Sequence, residues 1–247
     1  MTALFTGLAA GEIAPVVLIP GDPGRVDTVA VALDEVSFRG GAGDHQAVTG
    51  TLDGVAVSAV SAGIGCPTTA IVVEELADLG VRCVLRIGTC GALQPHLRPG
   101  VMVIASAAVS GDGTSQAYGA GARPAVADLG VVEALLAACA EHGLEAEAGV
   151  VRSHDAFYLE SPWAHGDFRA RVQPWIDCGV LALENESSAL FTVAGHRGLR
   201  AGSILASGLP IVDHPADFSH GDQNKHAMVR AALTAAVSLG RLERRAA

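Results

Sequence analysis

Short apolar runs alternate with longer segments of helical periodicity along most of the chain. Mostly apolar runs of three to nine residues occur at 16–19, 55–61, 83–85 and 101–109. Runs of this length indicate buried parallel strands. Residues 68–79 carry apolar side chains at helical spacing, and Gly80 ends that segment. The order strand, helix, strand over about 55–87 predicts a βαβ unit with a right-handed crossover.

The remaining pattern fits the same fold class. Strands are predicted at 148–152, 181–183 and 199–206, and helices from about 26, at 131–142, at 163–173, from about 188 to 196, and at 222–242. A β-hairpin is predicted over 36–54 with 40–43 as a mobile link, whereas 111–121 and 208–221 are expected to be loops. No linker or internal repeat interrupts the pattern, so we expect one α/β domain over residues 1–247.

A basic residue and two glycines follow one of these strands. After the apolar residues 83–85 comes Arg86, and then the segment Gly-Thr-Cys-Gly at 88–91, which predicts a glycine turn. Ligands of open α/β sheets bind at the carboxyl ends of the strands. A cation, the hydroxyl of Thr89 and flexible backbone at this point therefore favour an anion site. The alternative is an ordinary glycine turn, with Arg86 in a structural ion pair.

The turn after the first strand has the same character. Residues 20–25 read Pro-Gly-Asp-Pro-Gly-Arg, and a helix is expected to follow. Asp22 is expected to cap that helix with Pro23 at its first position, and Gly21 lets the backbone approach a ligand. A glycine turn, a helix N-terminus and Arg25 together suit a phosphate. The other interpretation is an ordinary capped turn with a solvated arginine.

Composition and charge narrow the classes of function. Half of the 247 residues are hydrophobic and only 4% are aromatic, so the chain can bury a large aliphatic core. The net charge of -10 argues against general binding to nucleic acid or to an anionic membrane. No signal peptide is visible, and no apolar run approaches the roughly 20 residues of a membrane span. Five cysteines without a CxxC pair predict a reduced, cytoplasmic protein, with Cys90 as a packing residue.

Carboxylates and aromatic rings follow two other predicted strands. Glu184 and Glu186 follow one of them, and Phe157 and Tyr158 follow the other. A carboxylate can accept two hydroxyl hydrogens and so suits a sugar diol, while an aromatic pair suits a flat heterocycle. Taken singly, Phe157 could be a core residue and Glu184 an ion-pair partner. Together with the two arginines, the set indicates a nucleoside and a phosphate as ligands.

Five motifs resemble those of a known enzyme family. They are GDPGR at 21–25, GIGCPTTAIVVEELADLG at 63–80, RIGTCGALQPH at 86–96, SHDAFY at 153–158 and ENESSAL at 184–190. As a set, they are similar to nucleoside phosphorylases of the uridine phosphorylase and hexameric purine nucleoside phosphorylase type. The resemblance covers about residues 7–242, and the block 63–96 is closer to the uridine enzymes. It implies a single α/β domain around a mixed, twisted, partly barrel-like sheet flanked by helices.

The resemblance also implies a reaction and an assembly. The reaction is the reversible phosphorolysis of a nucleoside to a free base and a pentose 1-phosphate. Nucleoside and phosphate are the partners, and no organic cofactor or metal is required. The assembly is a homohexamer built as a trimer of dimers, or at least a homodimer with shared active sites. A monovalent cation such as potassium is implied at the dimer interface, near Asp44, Ile64 and Thr68.

Site residues carry over by position. The resemblance assigns phosphate to Gly21, Arg25, Arg86 and Thr89, the ribose to Asn185 and Glu186, and the nucleoside to Phe157, with Glu184 beside them. Arg86 and Glu184 are also expected to be catalytic residues. The transition state of such a reaction resembles an oxocarbenium ion, so the protein's task is positioning and charge stabilisation. Phosphate held beneath the sugar both attacks C1′ and stabilises its positive charge.

Several positions depart from the family pattern. Gly43 stands where a neighbouring subunit normally supplies a phosphate-binding arginine, and Arg39 or His45 could substitute for it. Phe5 or a neighbour stands in place of an N-terminal histidine that reaches the sugar 5′-hydroxyl, so the 5′ end of the sugar could differ.

The positions that bind the base also differ. The two that read uracil in the uridine enzymes fall at about Ser161 and Trp163, and Asn185 replaces a methionine. Asp213 resembles the general acid of the purine enzymes with a shift of about two residues, and a solvated loop carboxylate is the other interpretation.

These features leave several hypotheses for function. The first is a phosphorylase acting on uridine or a related or modified pyrimidine nucleoside. A purine nucleoside phosphorylase with Asp213 as the general acid is the second, and a hydrolytic nucleosidase on the same fold is the third. A non-catalytic nucleoside-binding protein is the fourth. Arg25 together with Arg86 argues for phosphate dependence, because a nucleosidase needs no phosphate site.

Overall fold

The computed structural model describes residues 2–119, 121, 123–212 and 222–246. Within these residues one sheet contains the ten strands β1 Val16–Pro20, β2 Glu35–Ala42, β3 His45–Leu52, β4 Val55–Val60, β5 Cys83–Ala92, β6 Met102–Gly111, β7 Ala125–Val126, β8 Ala146–His154, β9 Ala182–Glu184 and β10 Arg200–Pro210. The helices are α1 Gly24–Ala32, α2 Cys66–Asp78, α3 Gly113–Ala117, α4 Leu129–Glu141, α5 Phe168–Asp177, α6 Ser187–Arg197 and α7 Asp222–Ala246. One turn of 3-10 helix follows β8 at Phe157–Leu159.

Half of the sheet closes on itself and half extends from it. Strands β5, β10, β6, β8 and β9 pair in a closed ring, because β5 pairs with both β10 and β9. From β5 the sheet continues through β1, β4, β3 and β2, with parallel pairing up to β4 and an antiparallel hairpin beyond it. The expectation of a mixed, partly barrel-like sheet is therefore confirmed.

Helices cover both sides of the sheet. Every residue of β1 is buried, with Val16 and Leu18 packed on one side and Val17 and Ile19 on the other. Helices α1, α4 and α7 pack on the first side and α2 and α6 on the second. This is the two-sided burial that continuous apolar runs predict. The predicted βαβ unit is present as β4, α2 and β5, with β1 between the two strands and parallel to both.

The glycines at 88–91 were expected to form a turn, and this expectation is wrong. They continue β5, because Gly88 pairs with Leu205 of β10 and Gly91 with Leu183 of β9. A Cβ atom on Gly88 would lie 2.7 Å from Nη2 of Arg86 and 2.9 Å from a methyl group of Leu205. The glycine is therefore needed for close packing around the Arg86 side chain, and not for a change of chain direction.

The predicted hairpin is present, but its turn is shorter. Residues 40–42 are paired within β2, so the link is not the whole of 40–43, and the turn lies at Gly43 and Asp44. Gly41 has a φ of 101°, and a Cβ there would overlap the His45 carbonyl. The glycines were interpreted as a mobile link, whereas Gly41 allows the two strands of the hairpin to approach closely.

Other boundaries moved for local reasons. The helix expected at 163–173 is α5, which begins after Asp167, whose side chain accepts the Ala170 N–H. The loop expected at 111–121 contains α3, and β10 extends to Pro210, into the segment expected to be a loop. Pro23 occupies the N-cap of α1 and not its first turn, although Asp22 still accepts the Gly24 N–H at 2.9 Å. The strand β7 was not predicted.

Two expectations from composition can be compared with the fold. No helix in the described part of the chain is long and apolar enough to cross a membrane. All five cysteines are free thiols, and Cys90 is 3% exposed. Burial raises the pKa of the Cys90 thiol far above its ordinary value, which supports a packing role.

The packing at Gly88 can be tested by adding one methyl group. Gly88→Ala is expected to lower the free energy of unfolding by about 1–3 kcal/mol, because the added methyl group would lie within 3 Å of Leu205 and of Arg86, which two carboxylates hold in place. Urea denaturation measures the change. Gly195→Ala is the control, since Gly195 is an exposed residue of α6 with no atom near its Cβ position, and alanine there is expected to be neutral or slightly stabilising. Equal effects of the two substitutions would contradict the packing described.

Candidate active site

A cavity of about 870 Å³ opens at the carboxyl ends of several strands. Its walls come from the turn after β1, the turn before α2, the end of β5, the segment after β8 and the two residues after β9. Strands that lie side by side bring together residues that are more than 160 positions apart in sequence. The volume is in the range of small-molecule sites.

Arg86 lies at the base of this cavity and is 5% exposed. The side chains of Leu85 and Ile87 pack on one side of β5, so strand alternation turns Arg86 to the other side, towards α6. Its Nε donates to Glu184 Oε2 at 3.2 Å, and its Nη2 donates to Glu186 Oε2. Burial alone would lower the pKa of Arg86, but the two carboxylates outweigh it and raise the pKa. The guanidinium therefore stays charged.

Glu184 is fully occupied by hydrogen bonds beneath the cavity. Its Oε2 accepts from Arg86, from the backbone N–H of Glu186 at 3.0 Å and from the N–H of Ser187 at 2.9 Å, and its Oε1 accepts from the Ser153 hydroxyl. The two backbone donors are the N-cap residue of α6 and its first helical residue, so this carboxylate caps the helix. Glu184 does not line the large cavity. Glu184 was expected to be a catalytic residue in contact with the substrate. Its hydrogen bonds are instead those of a residue that positions Arg86 and the start of α6.

Glu186 lines the cavity and is 3% exposed. Its Oε1 accepts the Gly65 N–H at 2.7 Å, and its Oε2 accepts from Arg86 and, at 3.2 Å, from the Asn185 N–H. Burial raises the pKa of Glu186, Arg86 opposes that rise, and Glu184 adds to it. Oε1 receives one hydrogen bond and so retains a lone pair with which to accept a hydroxyl hydrogen.

Arg25 lines the same cavity from α1, and its guanidinium is incompletely satisfied. Its Nη1 donates to the carbonyl of Ile87 at 3.2 Å, while its Nε is buried and has no hydrogen-bond partner. Burial lowers the pKa of Arg25, and the positive charge of Arg86 lowers it further. A second cation placed against Arg86, with a donor left over, is an arrangement that an anion would stabilise.

Gly21 and Thr89 complete the expected phosphate site. A Cβ on Gly21 would lie 3.1 Å from the Gly63 carbonyl and 3.9 Å from Nη1 of Arg86. The absence of a side chain leaves the backbone of that turn open towards the cavity. Thr89 lines the cavity from the end of β5. All four residues expected to bind phosphate therefore line one cavity.

The aromatic group lies on the opposite wall. Phe157 lines the cavity and contacts Tyr158 edge to face, with the ring centroids 5.3 Å apart. Trp163 stacks on Phe157 at 6.1 Å and does not line the large cavity. Ser161 does not line it either and is 2% exposed. Of the three residues expected at the base, the structure brings only Phe157 directly to the large cavity.

Asn185 also reaches the large cavity, where the resemblance assigned its backbone to the ribose. Its side-chain amide donates to the His154 carbonyl, and its backbone carbonyl accepts from Cys66 Sγ at 3.1 Å.

Asp213, expected as a general acid, lies outside the described residues. Asp44 lies in the exposed hairpin turn, and the Thr68 hydroxyl donates to the Ile64 carbonyl at 3.2 Å. The cation site near these three residues stays a prediction.

Sequence reasoning missed some residues of the site. Asp155 lines the cavity, and its carboxylate accepts the Gly113 N–H at 2.8 Å. It stands two residues before Phe157, so the same strand-end argument could have found it. His154 was quoted within a motif but given no role. Gly65 was also overlooked, because a backbone donor leaves no sign in the side-chain pattern.

One group of side chains has the composition of a metal site. Ligand atoms of Cys66, Asp112 and Asp155 lie within 4.8 Å of one another. Asp112 is held by the Ser188 hydroxyl at 2.6 Å and caps α3, and burial strongly raises the pKa of the Cys66 thiol. A protonated thiol and carboxylates already used as hydrogen-bond acceptors argue for a structural role.

The site thus combines two arginines, a buried carboxylate and an aromatic wall in one cavity, on a barrel-containing α/β fold. The sequence profile of the phosphorylase superfamily matches residues 15–241. The chain belongs to that superfamily, which confirms the resemblance noted from the motifs.

Individual proteins agree with this assignment. A guanosine phosphorylase of Halorubrum lacusprofundi is 40% identical over 194 residues, covering 78% of each chain. A uridine phosphorylase of Treponema pallidum is 39% identical over 203 residues, covering 81% of this chain and 79% of that one. The structure of purine nucleoside phosphorylase from Toxoplasma gondii has a TM-score of 0.88 and 30% identity, covering 98% of this chain and 97% of that one.

The anion pocket can be tested without any assay of activity. Phosphate is expected to stabilise the protein by about 2.7 kcal/mol at 100 times its dissociation constant, and Arg25→Ala is expected to abolish most of this gain. Without phosphate, Arg25→Ala is expected to cost little, because the substitution removes a positive charge that the charge of Arg86 disfavours. Thermal unfolding at constant ionic strength measures both effects.

Arg169→Ala serves as the control, because Arg169 is exposed on α5 and does not line the cavity. The control should keep the full response to phosphate. An Arg25→Ala protein that phosphate stabilises as much as the unaltered chain would refute the assignment.

Proposed function

We propose that this protein is a nucleoside phosphorylase, which cleaves the N-glycosidic bond with phosphate and releases a free base and a pentose 1-phosphate. The observation that carries the proposal is the pair Arg25 and Arg86 in one cavity, with a buried, unpartnered Nε on Arg25. Glu186 lies on the same wall and is bonded directly to Arg86. Two relatives are named guanosine phosphorylase and uridine phosphorylase. Both names denote enzymes that act on nucleosides, which supports the proposal.

The geometry indicates how the reaction would proceed. Arg25, Arg86, Thr89 and the backbone at Gly21 hold phosphate, and Glu186 accepts hydrogen bonds from the sugar hydroxyls. An oxygen of phosphate then forms a bond to C1′ while the bond from C1′ to the base nitrogen breaks. The base leaves with the electron pair and ends up with the proton that the attacking hydrogen phosphate loses. Positive charge builds up on the sugar in the transition state. Catalysis therefore depends on positioning and on the negative charges of phosphate and Glu186.

The first candidate substrate is uridine or a related or modified pyrimidine nucleoside. Several relatives between 37% and 39% identical are uridine phosphorylases, which favours it. A purine nucleoside is the second candidate, and the 40% identical guanosine phosphorylase favours that one. In the purine case, Asp213 would be the general acid that protonates the leaving base.

We further propose that the active enzyme is at least a homodimer with shared sites, and a hexamer arranged as a trimer of dimers. Large apolar side chains are exposed near the cavity, with Ile64 81% and Tyr158 68% exposed, and Phe5 is 52% exposed in the N-terminal segment. Gly43, in the exposed hairpin turn, carries no side chain that could complete a neighbour's phosphate site. Arg39, on the same hairpin and bonded to Asp27 at 2.8 Å, is available in its place, and so is His45.

Three further expectations remain proposals. The protein needs no organic cofactor, and a potassium-like ion would bind near Asp44, Ile64 and Thr68 at a subunit interface. A location in the cytoplasm accords with five free thiols.

A panel of nucleosides tests the proposed reaction against the hydrolytic alternative. Release of base from uridine, thymidine, guanosine or inosine is expected only when phosphate is present, with pentose 1-phosphate as the second product. Release at the same rate without phosphate would make the protein a nucleosidase. No release from any nucleoside would favour a binding protein.

Glu186→Gln tests the sugar contact in the same assay. Losing the charge on this acceptor is expected to lower kcat/KM by about 10- to 100-fold, as hydrogen bonds to charged groups are worth about 1.5–3 kcal/mol. Glu141→Gln is the matched control, because Glu141 is exposed at the end of α4. The assignment of Glu186 fails if both variants retain the activity of the unaltered enzyme.

A further inference from the structure

A second cavity, of about 330 Å³, lies at the amino ends of the strands, opposite the candidate active site. This distal cavity is lined by the first residues of β1 and β4, by Arg82 and by the end of α7. Val16 lines the distal cavity and Gly21 the large one, so the length of β1 separates them by roughly 17 Å. The distal cavity is therefore a separate site, and its volume lies at the lower end of the range for small-molecule sites.

Part of the wall of the distal cavity is apolar. Pro15 and Val16 line it from the start of β1, and Val55 and Ala56 line it from the start of β4. Gly80 lines it as well, with a φ of 88° and no atom within 4 Å of its Cβ position, so that side of the cavity is open. Such a surface suits an apolar or flat group that is smaller than the cavity.

Two arginines line the same cavity. Arg82 immediately precedes β5, and Arg244 lies in the last turn of α7. Both side chains are exposed, and neither has an ion-pair partner within the described part of the chain. The lining carboxylate, Glu243, already accepts a hydrogen bond from Arg200 at 3.3 Å. The wall therefore has an excess of positive charge, in a chain whose net charge is -10.

The end of α7 accounts for only one of these two arginines. The C-terminus of a helix attracts cations, which gives Arg244 and its neighbour Arg241 a structural reason to be basic. Arg82 belongs to no helix, and it places a second guanidinium on the cavity that Arg244 lines. Two guanidinium groups beside an apolar surface have the composition of a site for an organic anion.

We propose that the distal cavity binds a phosphate monoester whose substituent is apolar or flat. A phosphate monoester carries about 1.5 to 2 negative charges at neutral pH, which matches two arginines better than a carboxylate does. Its oxygens accept hydrogen bonds from Arg82 and Arg244, and its substituent lies against Val16 and Val55. This inference does not depend on the proposed nucleoside phosphorylase function, since the distal cavity shares no residue with the large one.

Phenyl phosphate is the probe, and calorimetric titration at neutral pH and constant ionic strength measures its affinity. The titrations use Arg25→Ala protein, in which the anion site of the large cavity is weakened. Adding Arg82→Ala or Arg244→Ala to this protein is expected to lower the affinity about 10- to 100-fold, because each removes hydrogen bonds to a charged group. Both variants are expected to fold, since the two side chains are exposed.

Arg241→Ala, added to the same Arg25→Ala protein, is the matched control. Arg241 is an exposed arginine three residues before Arg244 on α7, and it does not line the distal cavity. This control is expected to retain the affinity for phenyl phosphate. Inorganic phosphate is expected to bind more weakly than phenyl phosphate, because it lacks the substituent that covers the apolar wall.

Several results would overturn the inference. One is an affinity for phenyl phosphate that Arg82→Ala and Arg244→Ala leave unchanged, or no binding at all to the Arg25→Ala protein. An equal loss in Arg241→Ala would show only a general attraction to a basic surface, and equal affinities for inorganic and phenyl phosphate would exclude the proposed ligand class. None of these results bears on the nucleoside phosphorylase proposal, which the release of base tests separately.

Discussion

A buried cation between two buried carboxylates is the interaction on which the rest of the site depends. Arg86 is held by Glu184 from below and by Glu186 from the side. Removing one partner from such a group leaves an uncompensated buried charge, at a cost of about 3–5 kcal/mol. Glu184 is fixed in turn by the first turn of α6 and by Ser153. Arg86 therefore has a fixed position before any ligand arrives, as a preorganised anion site requires.

Closure of the barrel brings these groups together. Arg86 lies on β5, Ser153 lies on β8 and Glu184 ends β9, and in the closed ring β9 pairs with both of the other strands. The turn after β1 adds Arg25 from the open half of the sheet, because β1 pairs with β5 on its other edge. The unfavourable charge interaction of Arg25 with Arg86 is the feature of the site that a bound anion would relieve. The two carboxylates satisfy Arg86 and stabilise the fold. Arg25 keeps an unpartnered donor that a ligand can use.

Much of this could be predicted from the sequence, and the failures have physical causes. Polar residues after apolar runs correctly located Gly21, Arg25, Arg86, Thr89 and Glu186 on one cavity, because strand ends meet at one edge of the sheet. Gly88 was misread, since a pattern does not distinguish a glycine that turns the chain from one that makes room for a side chain. The backbone donor Gly65 was missed because its contact with Glu186 crosses the fold and has no local signature. Glu184 was expected to be catalytic. Its hydrogen bonds to the start of α6 and to Arg86 show that it holds these groups in position.

The proposed reaction requires that Arg25 and Arg86 form one anion site directly beside a sugar site at Glu186. A crystal structure of the protein with a pentose 1-phosphate tests it most directly. The phosphoryl group is expected within hydrogen-bond distance of both guanidinium groups and of Thr89, and the sugar hydroxyls are expected to donate to the Glu186 carboxylate. A phosphoryl group bound away from either arginine, or a sugar that does not reach Glu186, would contradict it.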